Sequence, residues 1–234
     1  MVEMDLDRTA DGHIVCHHDP DMRRLFHREG KIREHTLAAL QQFTLYNVYG
    51  EPCREKLSLF SEALKALRGR TMLVLDRCWN FWDEVDALVK GAAMEDQIIL
   101  KYYTDDEASS RWAALHPEYL YIPMLVRAED AAETAALKKQ TSLIGVEILP
   151  GSPEDRFLDP AYIETLHRSG LKVWCNSLTY SNRLIFGGGY DDNLSLQCGG
   201  RMGWGQLIGR GVDIIQTDWV FELSQYLLQE SKNS

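Results

Sequence analysis

Short apolar runs alternate with stretches of helical spacing along most of the chain. Residues 2–6 read as a strand, with Glu3 and Asp5 on one face and Val2, Met4 and Leu6 on the other, because side chains two apart in a strand share a side. The dipeptide Asp11-Gly12 is a tight hairpin signal. It predicts that residues 14–18 return antiparallel to the first strand and carry His17, His18 and Asp19 back towards its start. Beyond the hairpin, "LSLFSEALKAL" has apolar positions at helical spacing and "TMLVLD" reads as a strand ending at Asp76. The alternation continues: helix in "WDEVDALVKGA", closing at Gly91, then strand in "QIILKYY", helix over 105–115, and strand in "LYIPMLV", weakened by Pro123. Next come helix in "AEDAAETAALKKQ", strand in "LIGVEIL", helix in "DPAYIETLHRSG", and strand in "LKVWCNSL". The chain finishes with helix in "GWGQLIGRG", strand in "VDIIQTD" and helix in "VFELSQYLLQES".

Strands apolar on both faces and alternating with helices point to a parallel sheet covered by helices. The length of 234 residues suits one domain over 1–234, an α/β fold of the TIM-type (β/α) barrel kind with an antiparallel hairpin after its first strand. One strand–helix unit short of eight is predicted, so the barrel is expected to be incomplete at its N-terminal side.

Net charge is −10, and no basic face of the kind a duplex binder shows is present, so nucleic acid is not expected as a partner. No apolar run approaches the ~18 residues a membrane span needs. The five cysteines share no C-x-x-C spacing, which supports neither a disulfide framework nor a thiolate zinc site. Reduced cysteines and the lack of a signal-peptide pattern suit a cytoplasmic location.

Two carboxylates side by side repel unless a cation neutralises them, so Glu3 and Asp5 are either solvated acids of a terminal strand or ligands of a hard divalent ion. A histidine delivered beside them is an acid–base candidate, and only one of His17 and His18 can face the acids. Lys101, near a strand end, is either a surface lysine or an ammonium for an anionic substrate. Glu147 is a core acid, or a partner for Lys101 or a substrate hydroxyl. Trp174 is a core indole or a stacking surface. By strand alternation Arg77 points away from Asp76. Asp191 and Asp192, in the glycine-rich stretch 186–205, read as solvated.

The pattern E-x-D-x-x-x-T-x-D-G-x-x-V-x-x-H-D, formed by Glu3, Asp5, Thr9, Asp11, Gly12, Val15, His18 and Asp19, resembles the signature of the glycerophosphodiester phosphodiesterase family. "GKIREHTLAALQQF", "LSLFSEAL", "GLKVWCNSL" and "GRGVDIIQTD" follow in the same order as that family's segments. The resemblance implies a TIM barrel that hydrolyses a small-molecule glycerophosphodiester to glycerol 3-phosphate and an alcohol with a divalent cation, Mg²⁺ or Ca²⁺. It implies Glu3, Asp5 and Asp76 as metal ligands and His18 as a catalytic histidine. It further implies substrate contact by Trp174; Glu147 is a second substrate-binding candidate from its strand position alone. Cys78 stands where the family has a lysine, and Lys101 is the substitute for that phosphate contact. The family also carries a His-Arg pair on a strand upstream of E-x-D. No such strand precedes Glu3, which together with Cys78 favours the alternative of a weakly catalytic or non-catalytic binder of metal and phosphodiester; a further alternative is a lyase of the sphingomyelinase D kind, which shares the two-histidine, three-acid plan.

Overall fold

The computed structural model describes residues 1–128, 136, 138–139, 141–179 and 186–233, arranged as two compact units. The first contains Met1–Tyr102 with Glu118–Leu120, and the second Tyr103–Pro117 with Tyr121–Ser234. Much of the helix predicted in "AEDAAETAALKKQ" lies outside the described residues.

The first unit is built on β1 (Val2–Arg8), β2 (Ile14–Cys16), β3 (Leu73–Asp76), β4 (Ile98–Leu100) and the start of β5 (Leu120–Tyr121), in the order β2-β1-β3-β4-β5. β1 and β2 are the predicted antiparallel hairpin, while β1–β3 and β3–β4 are parallel. The turn is held by side chains: Thr9 Oγ1 donates to Asp11 Oδ1 at 2.6 Å and accepts from the His13 amide at 2.9 Å. Gly12 takes φ +83, the left-handed region a side chain would resist. Four of the signature residues, Thr9, Asp11, Gly12 and Val15, therefore build the hairpin and its core; Val15 is fully buried.

The helix Phe60–Leu67 buries Phe60 and Leu64, four apart, and Glu62 reaches back to cap the Leu59 amide at 3.1 Å. The helix Trp82–Ala92 buries Trp82, Val85 and Val89. It ends not at Gly91 but at Ala92, capped by Ala93, whose left-handed φ of 50 lets its amide bond the Val89 and Lys90 carbonyls. Between β2 and the first of these helices, Met22, Phe26, Ile32, Leu40 and Leu57 pack with Val15 as a small apolar cluster over the hairpin.

The second unit has β6 (Gly145–Ile148), β7 (Lys172–Asn176) and β8 (Ile214–Gln216), all parallel in the order β6-β7-β8. The backbone of Gly145 runs so close to β7 that an added Cβ would lie 2.6 Å from the Lys172 carbonyl oxygen. The strand expected in "LYIPMLV" shrinks to Leu120–Tyr121, because Pro123 has no amide to donate to a ladder. Pairing resumes only as isolated parallel bridges of Met124 with Tyr103 and with Glu147. The helix Pro160–Arg168 starts as its sequence demands, with proline in the first turn and Asp159 capping the Ala161 amide at 2.9 Å. Among the described residues the strands form two open sheets rather than a closed barrel, and no helix is long and apolar enough to cross a membrane.

Candidate active site

Parallel pairing of β1 with β3 sets Glu3 opposite Val74 and Asp5 opposite Asp76. Glu3, Asp5 and Asp76 each offer a carboxylate oxygen, and these atoms lie within 4.8 Å of one another. At that spacing two ionised carboxylates repel by about 3 kcal/mol with an effective dielectric near 20. Burial raises the Asp5 carboxyl above its ordinary value and the Asp76 charge adds to the effect, while His18, Arg77 and Lys101 pull it back. An all-oxygen, net-negative donor set on two rigid strands fits a hard cation such as Mg²⁺ or Ca²⁺.

Cations of the chain line the same cluster. Lys101 follows β4, is 2% exposed, and its Nζ lies 2.8 Å from Asp76 Oδ2. The lysine predicted to hold a phosphate thus contacts a carboxylate ligand candidate directly. Cys78 is buried and accepts from Trp82 Nε1 at 3.3 Å, and burial pushes its thiol far up.

Arg77 corrects the sequence reading. It donates from Nε to Asp5 Oδ1 at 2.8 Å, so its side chain lies on the acidic face and not opposite to it. The alternation argument holds only while the chain stays extended. β3 ends at Asp76, and Arg77 adopts φ 59, a left-handed conformation uncommon for a non-glycine residue. Such conformations concentrate at functional sites.

His18 is placed by the hairpin. The His17 amide donates to the Asp5 carbonyl at 3.1 Å, which carries the β1–β2 pairing as far as the acidic cluster. His18 Nδ1 lies 2.9 Å from Asp19 Oδ1, and Nε2 lies 3.3 Å from Arg77 Nη2. A guanidinium has only donors, so Nε2 is the acceptor and the imidazole proton sits on Nδ1, donated to Asp19. Arg24 grips Asp19 in turn with two hydrogen bonds, at 2.7 and 2.9 Å. Burial works to raise the Asp19 carboxyl, but the hydrogen bonds and charges of Arg24 and His18 outweigh it and hold it below its ordinary value. His18 thus presents an oriented Nε2, with its Nδ1 held by the Asp19 carboxylate. His17 by contrast is 4% exposed with neither ring nitrogen hydrogen-bonded, and burial lowers its pKa.

The structure brings Glu3, Asp5, Asp76, Lys101 and His18 together within the first unit, with Arg77, Asp19 and Arg24 beside them. The adjacency of Asp19 to His18 was visible in the sequence, whereas the left-handed turn at Arg77 left no signal there. Glu147 and Trp174 belong to the second unit, where they are register partners on β6 and β7, each 2% exposed. Asp192 is not solvated: it is 1% exposed and accepts from Ser177 Oγ, Trp204 Nε1 and Thr217 Oγ1 at 2.7, 2.8 and 2.8 Å. Asp191 caps the helix Asp192–Cys198 through the Leu194 amide.

Similarity to known structures is extensive. A glycerophosphoryl diester phosphodiesterase from Parabacteroides distasonis matches with a TM-score of 0.74 and 20% identity, over 97% of this chain and 75% of that one. An Oleispira antarctica phosphodiesterase in complex with the product sn-glycerol-3-phosphate matches with a TM-score of 0.62 and 20% identity, over 100% and 85%. A glycerophosphodiester phosphodiesterase from Thermotoga maritima matches with a TM-score of 0.59 and 17% identity, over 97% and 84%. The chain shares the fold of these proteins. A family model described as a domain of unknown function matches residues 121–227, and no curated protein sequence matches the chain.

Proposed function

We propose that the chain is a metal-dependent phosphodiesterase that hydrolyses glycerophosphodiesters to glycerol 3-phosphate and an alcohol. The observation that carries this reading is a single cluster. Three carboxylate oxygens within 4.8 Å of one another lie beside a histidine whose acceptor nitrogen shares Arg77 with one of them. The neighbouring folds are phosphodiesterases, one of them holding glycerol 3-phosphate, which supports the substrate class.

Glu3, Asp5 and Asp76 would hold the cation. When bound, the ion offsets negative charge on a non-bridging phosphate oxygen. Lys101, 2.8 Å from Asp76 Oδ2, holds that carboxylate in place. His18 Nε2 moves the proton at either the attacking or the leaving oxygen, since in-line displacement sets the two on opposite sides of the phosphorus. Asp19, clamped by Arg24, holds the ring in the tautomer that makes Nε2 the base. Arg77 supplies a guanidinium to the phosphate from the side of His18, in place of the lysine that Cys78 replaces.

The test is turnover of glycerophosphoglycerol, glycerophosphoinositol and glycerophosphocholine with Mg²⁺ or Ca²⁺, followed by ³¹P NMR. Release of glycerol 3-phosphate, lost on chelation and reduced roughly 10²–10⁴-fold by His18→Ala, is the expected result. A persistent cyclic phosphate would assign a lyase instead. No cation-dependent turnover of any diester would leave a binding protein.

A further inference from the structure

A cavity of about 320 Å³ opens in the first unit beside the candidate site. His18 and Arg77 form its wall on the side of the acidic cluster. The groups that bind and activate a phosphate thus front a chamber large enough for a small alcohol. Its far side is built by residues that the proposed reaction does not use: Arg8 and Asp7 from β1, and Lys31 and Arg33 from the segment that folds over the hairpin.

The chemistry of that lining is uneven. Four permanent cations, Arg8, Lys31, Arg33 and Arg77, face two carboxylates, Asp7 and Asp19. Both acids already have partners: Asp19 is gripped twice by Arg24, and Asp7 has Arg33 at 3.9 Å and His17 at 4.0 Å. Lys31 forms no ion pair among the described residues. Recognition of a quaternary ammonium needs open aromatic faces and spare negative charge. Here the aromatic lining is Trp79, half-buried, and Phe81, 8% exposed; Arg8 pairs with Glu84, Arg33 with Asp7 and Arg77 with Asp5, so the spare charge of the lining is the ammonium of Lys31.

We infer that this cavity is the seat of the leaving alcohol, and that it selects a hydroxyl-rich alcohol, neutral or anionic, over choline. The inference rests on the diesterase reading for the word leaving, but the cavity's preference is a property of its own residues. Hydroxyls of a polyol accept from the Lys31 and Arg33 donors, and an added anionic group gains from the same charges. A trimethylammonium offers no hydrogen bond and meets like charge.

Two measurements keep the readings apart. Relative kcat/KM for glycerophosphoinositol and glycerophosphocholine is measured on the full chain with Mg²⁺ or Ca²⁺. Relative affinity for the same two diesters is measured by calorimetry on the His18→Ala chain, independently of turnover. A preference for the inositol diester of about tenfold or more is expected, the worth of one favourable charge-assisted contact. Lys31→Glu, at an exposed position, narrows it several-fold. Equal binding, or tighter binding of the choline diester, overturns the cavity assignment and leaves the diesterase reading standing. The expected binding preference without turnover sinks the diesterase reading alone. Binding of neither diester overturns both.

Discussion

Replacing Asp5 by asparagine separates the two roles of the acidic cluster, because it removes one charge and leaves the shape. Wild-type protein in a cation at a hundred times its dissociation constant gains about 2.7 kcal/mol of stability. For a chain of this length that is a rise in Tm of roughly 5–10 °C. Asp5→Asn leaves two carboxylate ligands, Glu3 and Asp76, beside a neutral amide oxygen, so affinity for a hard ion falls and the rise at the same cation concentration should shrink. Without cation the sign reverses. Burial and Asp76 raise the folded-state pKa of Asp5 above the ordinary 3.8, so its ionisation opposes folding. That penalty is absent below the ordinary value and grows as pH climbs through the raised one. Cation-free Asp5→Asn should therefore gain on wild type in urea melts at pH 7, with the gap closing towards pH 4. A variant that keeps the full thermal response to Mg²⁺ and Ca²⁺, or a gap that widens towards pH 4, would refute the assignment of Asp5 to a cation site.

Three further outcomes are expected. Burial lowers the folded-state pKa of His17 below the ordinary 6.5, so its contribution is complete above that pH and is lost as pH falls towards the folded value; His17→Leu should flatten this decline in urea melts, and an unchanged slope would exclude His17 as its source. Asp192→Ala strands the Trp204 indole N–H and weakens two hydroxyl anchors, a loss of roughly 3–5 kcal/mol and about 10 °C in Tm; a loss under about 1 kcal/mol would contradict its place as a buried hydrogen-bond centre. Arg77→Gly keeps the left-handed turn while deleting the guanidinium, so it should melt within about 2 °C of wild type yet lose at least about tenfold in kcat/KM; full activity would remove Arg77 from the phosphate.

The sequence by itself determined what depends on neighbours along the chain. The Asp11-Gly12 hairpin, the shared face of Glu3 and Asp5, the Glu62 cap, and the Asp159-Pro160 helix start are all local, set by turn chemistry and by strand or helix period. So was the pairing of His18 with Asp19. Tertiary structure decided what depends on register and on where a strand stops. Asp76 joins Asp5 because β1 and β3 pair in that register, and Lys101 reaches Asp76 because β4 lies beside β3. Arg77 crosses to the acidic face because a left-handed residue ends the strand and cancels the alternation on which the sequence argument stood. Asp192 is buried because Ser177, Trp204 and Thr217, distant along the chain, converge on it. A periodic pattern fixes which side a residue faces only while the backbone keeps its period, and long-range pairing leaves no mark on any short window of sequence.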